Sequence, residues 1–193
     1  MIKVGILGDI GSGKSYVANS FGYPVFNADY EVAKLYKKEK KIFHKLKKKL
    51  PNYIFSFPIK KQEISKAILS KNLNLKKIVK IVHPEIQKKL KIFINKNKNK
   101  KLVILDIPLL LENKINHKGD ILIFVQSNKL EILKRLKKRE NYNIKLINKF
   151  KNIQLPLDYK KNKSDFIIKN NFTKKSLKKS IKLVLKKILK WKK

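Results

Sequence analysis

The chain has 193 residues and no cysteine, and it carries 50 Lys and Arg against 13 Asp and Glu, a formal net charge of +37. The length suits one domain with a real core, and the lack of cysteine excludes disulfides, thiolate metal sites and thiol nucleophiles. Such charge would suit a polyanion partner, but only two basic residues are arginine, Lys, Ile and Asn abound, and no aromatic residues interleave the lysines as stacking platforms, so drift toward AT-rich codons with solvated lysine faces is the preferred explanation.

In chain order, residues 2–7 read as a buried strand, 14–21 as a helix, 24–26 as a short strand and 30–37 as a helix. Residues 38–83 are lysine-rich and mostly helical in pattern, with Pro51 and Pro58. A helix is expected over 84–94, strands over 102–107 and 121–125, and a helix over 128–139. Residues 140–165 are polar, contain Pro156 and read as a mobile excursion before a strand at 166–168. The last helix, 173–192, repeats Leu177, Ile181, Val184, Ile188 and Trp191 on one face. Continuous apolar strands alternating with helices predict an α/β fold: about five parallel strands covered on both faces. The start, MIKVGILG, lacks a signal-peptide pattern, and the apolar run Leu102–Leu111 is too short to span a bilayer. A soluble, cytoplasmic protein is expected, with its oligomeric state open.

Four of the six glycines fall within the first thirteen residues. Gly8-Asp9-Ile10-Gly11-Ser12-Gly13-Lys14-Ser15 fits G-x-x-x-x-G-K-[ST] in full, after a strand and before a helix. Such a loop turns successive N–H groups onto a phosphate chain and adds the positive end of a helix. Lys14 is expected on the β- and γ-phosphates and the Ser15 hydroxyl on Mg²⁺. The fold expected is therefore of the P-loop NTPase type, in three layers.

Asp29 follows the next strand, at the edge where open parallel sheets bind ligands. Two readings stand for it: a carboxylate that takes the proton of an attacking hydroxyl or helps to hold a metal, or a cap on the helix starting at Tyr30. Arg135 and Arg139, spaced i,i+4, were kept as arginines in a chain that uses lysine elsewhere. Their planar forks suit a transferred phosphoryl group; the alternative is a surface pair with one arginine bonded to Glu131.

The chain resembles the dephospho-CoA kinase family over nearly its whole length. The resemblance rests on GDIGSGKS, NADYEVAK, HPEI at 83–86, DIPLLLE at 106–112, KRLKKR at 134–139, and Gln154 followed by SDFIIKN up to Asn170. It implies transfer of the ATP γ-phosphate to the ribose 3′-hydroxyl of dephospho-CoA, and a P-loop core (1–37, 100–139 and 166–193) with a substrate-binding insert (about 38–99) and a lid (about 140–165). It implies ATP contacts by Gly8 and by Gly11, Ser12, Gly13, Lys14, Ser15 and Tyr16, a catalytic base at Asp29, and lid arginines at Arg139 and Arg135. His83, Pro108, Leu109 and Glu112 would line or support the substrate side, although Pro108 could only shape a turn and His83-Pro84 only start a helix. Asp106 could hold Mg²⁺ through water.

The chain departs from the family pattern at four positions: Asn27 for the first aspartate of D-A-D, Leu7 for a threonine, Asp9 for a glycine and Tyr16 for a threonine. Leu7 and Asp9 are expected to weaken ATP binding without abolishing the reaction. Rival readings are another small-molecule kinase of this fold and a polyanion-binding protein with a vestigial nucleotide site. A GTPase is rejected: N-K-S-D at 162–165 precedes its strand, and no D-x-x-G follows the Asp106 strand.

Overall fold

A computed structural model describes residues 1–140 and 142–190. The chain packs into two compact units, the first made of residues 1–27, 97–142 and from 151 onward, the second of 28–96 and 143–150.

The first unit holds five strands: β1 (Ile2–Gly8), β2 (Val25–Asn27), β3 (Leu102–Asp106), β4 (Ile121–Gln126) and β5 (Phe166–Lys169). All pair in parallel in the order β2-β3-β1-β4-β5, so the sheet is the predicted one. Helices α1 (Lys14–Ser20) and α9 (Lys174–Lys190) lay Val17, Ala18, Phe21, Leu177, Ile181, Val184 and Ile188 against Val4, Ile6, Ile104, Ile123, Val125 and Ile168. Each of these side chains except Ala18 contributes about 1.5–3 kcal/mol through burial. Trp191, expected on the same face, lies outside the described residues.

Helix α6 (Lys129–Lys137) starts at Asn128, whose side-chain oxygen accepts from the N–H groups of Leu130 at 2.8 Å and Glu131 at 3.4 Å. It stops two residues short of Arg139, so Arg135 and Arg139 do not share a helix face as expected. The polar stretch 140–165 carries helix α8 (Leu157–Asn162) in this unit, together with α7 (Ile144–Lys151), most of which belongs to the second.

The second unit is built on α2 (Ala28–Lys38), α3 (Lys40–Lys49), α4 (Lys61–Ser70) and α5 (Asn72–Lys96). The helix expected to begin at Pro84 begins twelve residues earlier and runs through the proline. Proline removes one helical N–H, but Ile78, Val82, Ile86 and Leu90 are buried at four-residue steps on both sides of it. That stripe holds the helix together across the missing bond. Buried Asn74 bridges α5 to α4 by donating to the Ala67 carbonyl at 2.9 Å and to Ser70 Oγ at 3.0 Å. Lys149 of α7 donates to the carbonyls of Ile68 and Leu69 at the α4 C-terminus, where a cation meets the negative helix end. Among the described residues, no helix is long and apolar enough to cross a membrane.

Candidate active site

The loop between β1 and α1 shows why its glycines are needed. Gly8 has φ 145 and Gly13 has φ 90, conformations that side chains rarely adopt. A Cβ on Gly8 would stand 2.7 Å from the Val125 carbonyl oxygen, and one on Gly13 would collide with the Asn170 side-chain amide. Gly11, also at positive φ, packs against Ile132 and Leu136 of α6.

Ser12 is 1% exposed, and its carbonyl accepts from Ser127 Oγ and from Asn170 Nδ2, each at 2.9 Å. Residues just past β4 and β5 thus grip the loop by its carbonyl. Neither grip was anticipated from the sequence; the available signal was that both side chains follow the ends of apolar strands, where ligand sites of parallel sheets form. The Ser12 hydroxyl is buried and has no partner among the described residues. Lys14 Nζ donates to the carbonyls of Gly8 at 3.2 Å and Asp9 at 2.8 Å. Asp9 Oδ1 accepts from the Ile10 N–H at 2.7 Å and Oδ2 lies 3.9 Å from Lys151 Nζ, so this extra negative charge has a cation near it. Tyr16 is exposed on α1, and Leu7 is buried in β1.

At the end of β3, Asp106 is 3% exposed and accepts from Asn27 Nδ2 at 2.7 Å. Burial pushes its carboxyl above the ordinary 3.8, while a hydrogen bond from Ser15, the charge of Lys14 and the Asn27 bond act in the opposite sense. Asn27 therefore keeps a hydrogen bond to the carboxylate at the loop, which a second aspartate in its place would replace with repulsion unless one of the two were protonated. Because the folded carboxyl binds its proton more tightly than the unfolded one, stability falls as pH rises from the unfolded value through the folded one. Asp106→Asn is expected to melt above the native chain near neutral pH, the gap closing below the unfolded value. Equal melting at neutral pH would remove Asp106 as a source of strain.

Asp29 is the second residue of α2, inside its first turn; the helix starts at Ala28, so Asp29 is not the cap envisaged for a helix starting at Tyr30. Helix α2 packs on α5, and Glu31 binds Lys34 at 3.0 Å and Lys89 at 3.7 Å. His83 lies within α5, its Nε2 buried without a partner among the described residues. Asp29 and His83 thus belong to the second unit, whereas Lys14, Ser15, Asp106, Pro108, Leu109 and Glu112 belong to the first.

The Arg135 guanidinium sits 4.4 Å from the centre of the Phe172 ring, and Glu131 pairs with Lys134, not with Arg135. Arg139 is exposed just past α6, its N–H bonded to the Leu136 carbonyl. Asp165, the last residue of N-K-S-D, precedes β5, and its carboxylate accepts from the Leu122 N–H at 2.8 Å, which gives it a role in joining strands.

A five-stranded parallel sheet with this strand order and this loop defines a P-loop kinase-type phosphotransferase fold. A model of the dephospho-CoA kinase family matches residues 2–176. A dephospho-CoA kinase of Wolbachia sp. subsp. Brugia malayi is 37% identical over 176 residues, 89% of this chain and 90% of the relative. Among solved structures, a Thermus thermophilus protein superposes with a TM-score of 0.74 at 26% identity, covering 97% of both chains. The dephospho-CoA kinase of Campylobacter jejuni shares the fold with a TM-score of 0.63 at 22% identity, covering 98% of each. The chain belongs to the dephospho-CoA kinase family. It is a kinase, with ATP as its nucleotide substrate, and the comparisons give no support to the polyanion-binding alternative.

Proposed function

We propose that this chain transfers the γ-phosphoryl group of ATP to the ribose 3′-hydroxyl of dephospho-CoA, giving coenzyme A and ADP, the final step of coenzyme A synthesis. The observation that carries the assignment of roles is the cluster at the end of β3: buried Asp106, bonded by Ser15 and Asn27, with Lys14 beside it. The glycine loop and Lys14 hold the phosphates. Asp106 and Ser15 offer a carboxylate and a hydroxyl, the hard oxygen donors that suit Mg²⁺. When bound there, that ion would neutralise charge on the β- and γ-phosphates.

The transfer is in line, with no covalent enzyme intermediate. The 3′-oxygen forms a bond to the γ-phosphorus as the bond to the bridging oxygen breaks, and ADP leaves with that electron pair. Asp29, two residues beyond Asn27, takes the hydroxyl proton. His83, Pro108, Leu109 and Glu112 serve the acceptor side. Residues from about 38 to 99 form the substrate-binding insert, and about 140–165 a lid that brings Arg139, with Arg135, to the transferred group. The protein works in the cytoplasm.

Arg139→Lys is expected to lower kcat about tenfold, since the charge stays and the planar fork is lost; an unchanged kcat would leave Arg139 as a surface residue. The function itself is tested by ADP release from Mg·ATP with dephospho-CoA, adenosine, AMP or shikimate added in turn. Release that depends on dephospho-CoA, with coenzyme A as product, is the expected result. Release with another acceptor alone would assign a different small-molecule kinase.

A further inference from the structure

One ion pair in the first unit is buried far more deeply than surface pairing requires. Lys160 Nζ lies 2.6 Å from Glu112 Oε1, the two side chains being 4% and 10% exposed. The same Oε1 accepts from the Leu155 N–H at 3.0 Å, and Lys160 also donates to Gln154 Oε1 at 3.4 Å. Glu112 Oε2 is buried and has no hydrogen-bond partner among the described residues. A buried ion pair is seldom worth more to stability than an apolar pair of the same volume, and a buried carboxylate oxygen with no donor is costly.

Glu112, Gln154 and Lys160 line a niche of about 10 Å³ together with Gly8 and Lys14 of the phosphate loop and Pro108. That is room for one water-sized group. Leu109, also on its wall, holds φ 59 without being glycine, the kind of local strain that collects at functional sites. A carboxylate oxygen can only accept, and the ammonium beside it can only donate. A hydroxyl, which does both and has this size, fits the niche; a phosphate oxygen, which repels the carboxylate, does not.

We propose that Glu112, oriented by Lys160, binds the ribose 2′-hydroxyl of the acceptor, next to the hydroxyl that is phosphorylated. This rests on the reaction proposed above. An acceptor hydroxyl in line with a phosphoryl group held by Lys14 must approach to about 3–3.5 Å. Its vicinal neighbour is the next hydroxyl on the ribose ring, and Glu112 lines the same niche as Lys14. Glu112 is a binding residue in this arrangement and Lys160 a positioning residue.

The test compares dephospho-CoA with its 2′-deoxy analogue, which keeps the 3′-hydroxyl. The native enzyme is expected to use the analogue with kcat/KM about 10- to 100-fold lower, because the buried carboxylate loses its donor. In Glu112→Gln and in Lys160→Met the ratio between the two acceptors should fall to within about threefold, whereas general damage to the site would lower both and leave the ratio intact. Equal use of both acceptors by the native enzyme would overturn the proposal and leave an ordered water as the occupant of the niche. Full discrimination retained by Glu112→Gln would overturn it as well. Should either variant fail to fold, the other reads the ratio in its place. Failure to phosphorylate dephospho-CoA at all would instead refute the reaction, a result that cannot be confused with equal use of the two acceptors.

Discussion

Asp29→Asn is expected to lower kcat by about 100- to 10,000-fold, the range that general-base catalysis supplies, while the Kd for ATP changes little. The asparagine keeps the size and a hydrogen-bonding oxygen but cannot accept the proton that the ribose hydroxyl must lose. ATP affinity should survive because the phosphate contacts are proposed for the loop between β1 and α1, to which Asp29 does not belong. Single-turnover ADP formation, with ATP titrated separately, reads the two effects apart. A native turnover would take Asp29 out of the chemistry and leave it as an acidic residue in the first turn of α2, worth about 0.3–1 kcal/mol to that helix.

Gly13→Ala carries the second large effect, and it acts through structure. The residue holds φ 90, and its new Cβ would displace the Asn170 amide that grips the Ser12 carbonyl. Strain and the lost bond together should lower stability by about 2–4 kcal/mol, and ATP affinity should fall at least about tenfold as the N–H cradle distorts. Gly22→Ala is the matched control: φ is 73, yet nothing lies within 4 Å of the added carbon. Urea unfolding of both variants separates backbone strain from collision. Equal losses would mean that the Asn170 grip is unimportant.

The parts of this molecule that could be read from its sequence are those where one residue type answers to one physical demand. Gly8, Gly11 and Gly13 are such positions, and so are the unbroken apolar strands that fix a parallel sheet. The stop of α6 at Lys137 was not legible, because Lys138 and Arg139 are themselves good helix formers and no glycine or proline marks the end. Pro84 misled in the other direction, since its local rule was overridden by a buried stripe spanning both its flanks. At the site, the glycine motif was visible because all its parts are adjacent in sequence. The Asn27–Asp106 bond joins residues 79 positions apart, the Asn170–Ser12 bond residues 158 apart, and the Lys160–Glu112 pair ties the end of DIPLLLE to a stretch that reads only as polar. Such pairs exist only once the strands have been brought side by side.

The bonds from Lys14 to the carbonyls of Gly8 and Asp9 set a threshold for what the loop will hold. A phosphate oxygen that reaches this ammonium does so by exchange, replacing acceptors already in place, so the net gain at Lys14 is only the difference between two hydrogen bonds. A chloride, held at a single point, has little beyond that exchange to offer. A nucleoside triphosphate, bound as proposed, would meet the row of loop N–H groups at the same time and offset that exchange. On the phosphate contacts proposed above, the loop would in this way favour a polyphosphate chain over a monatomic anion.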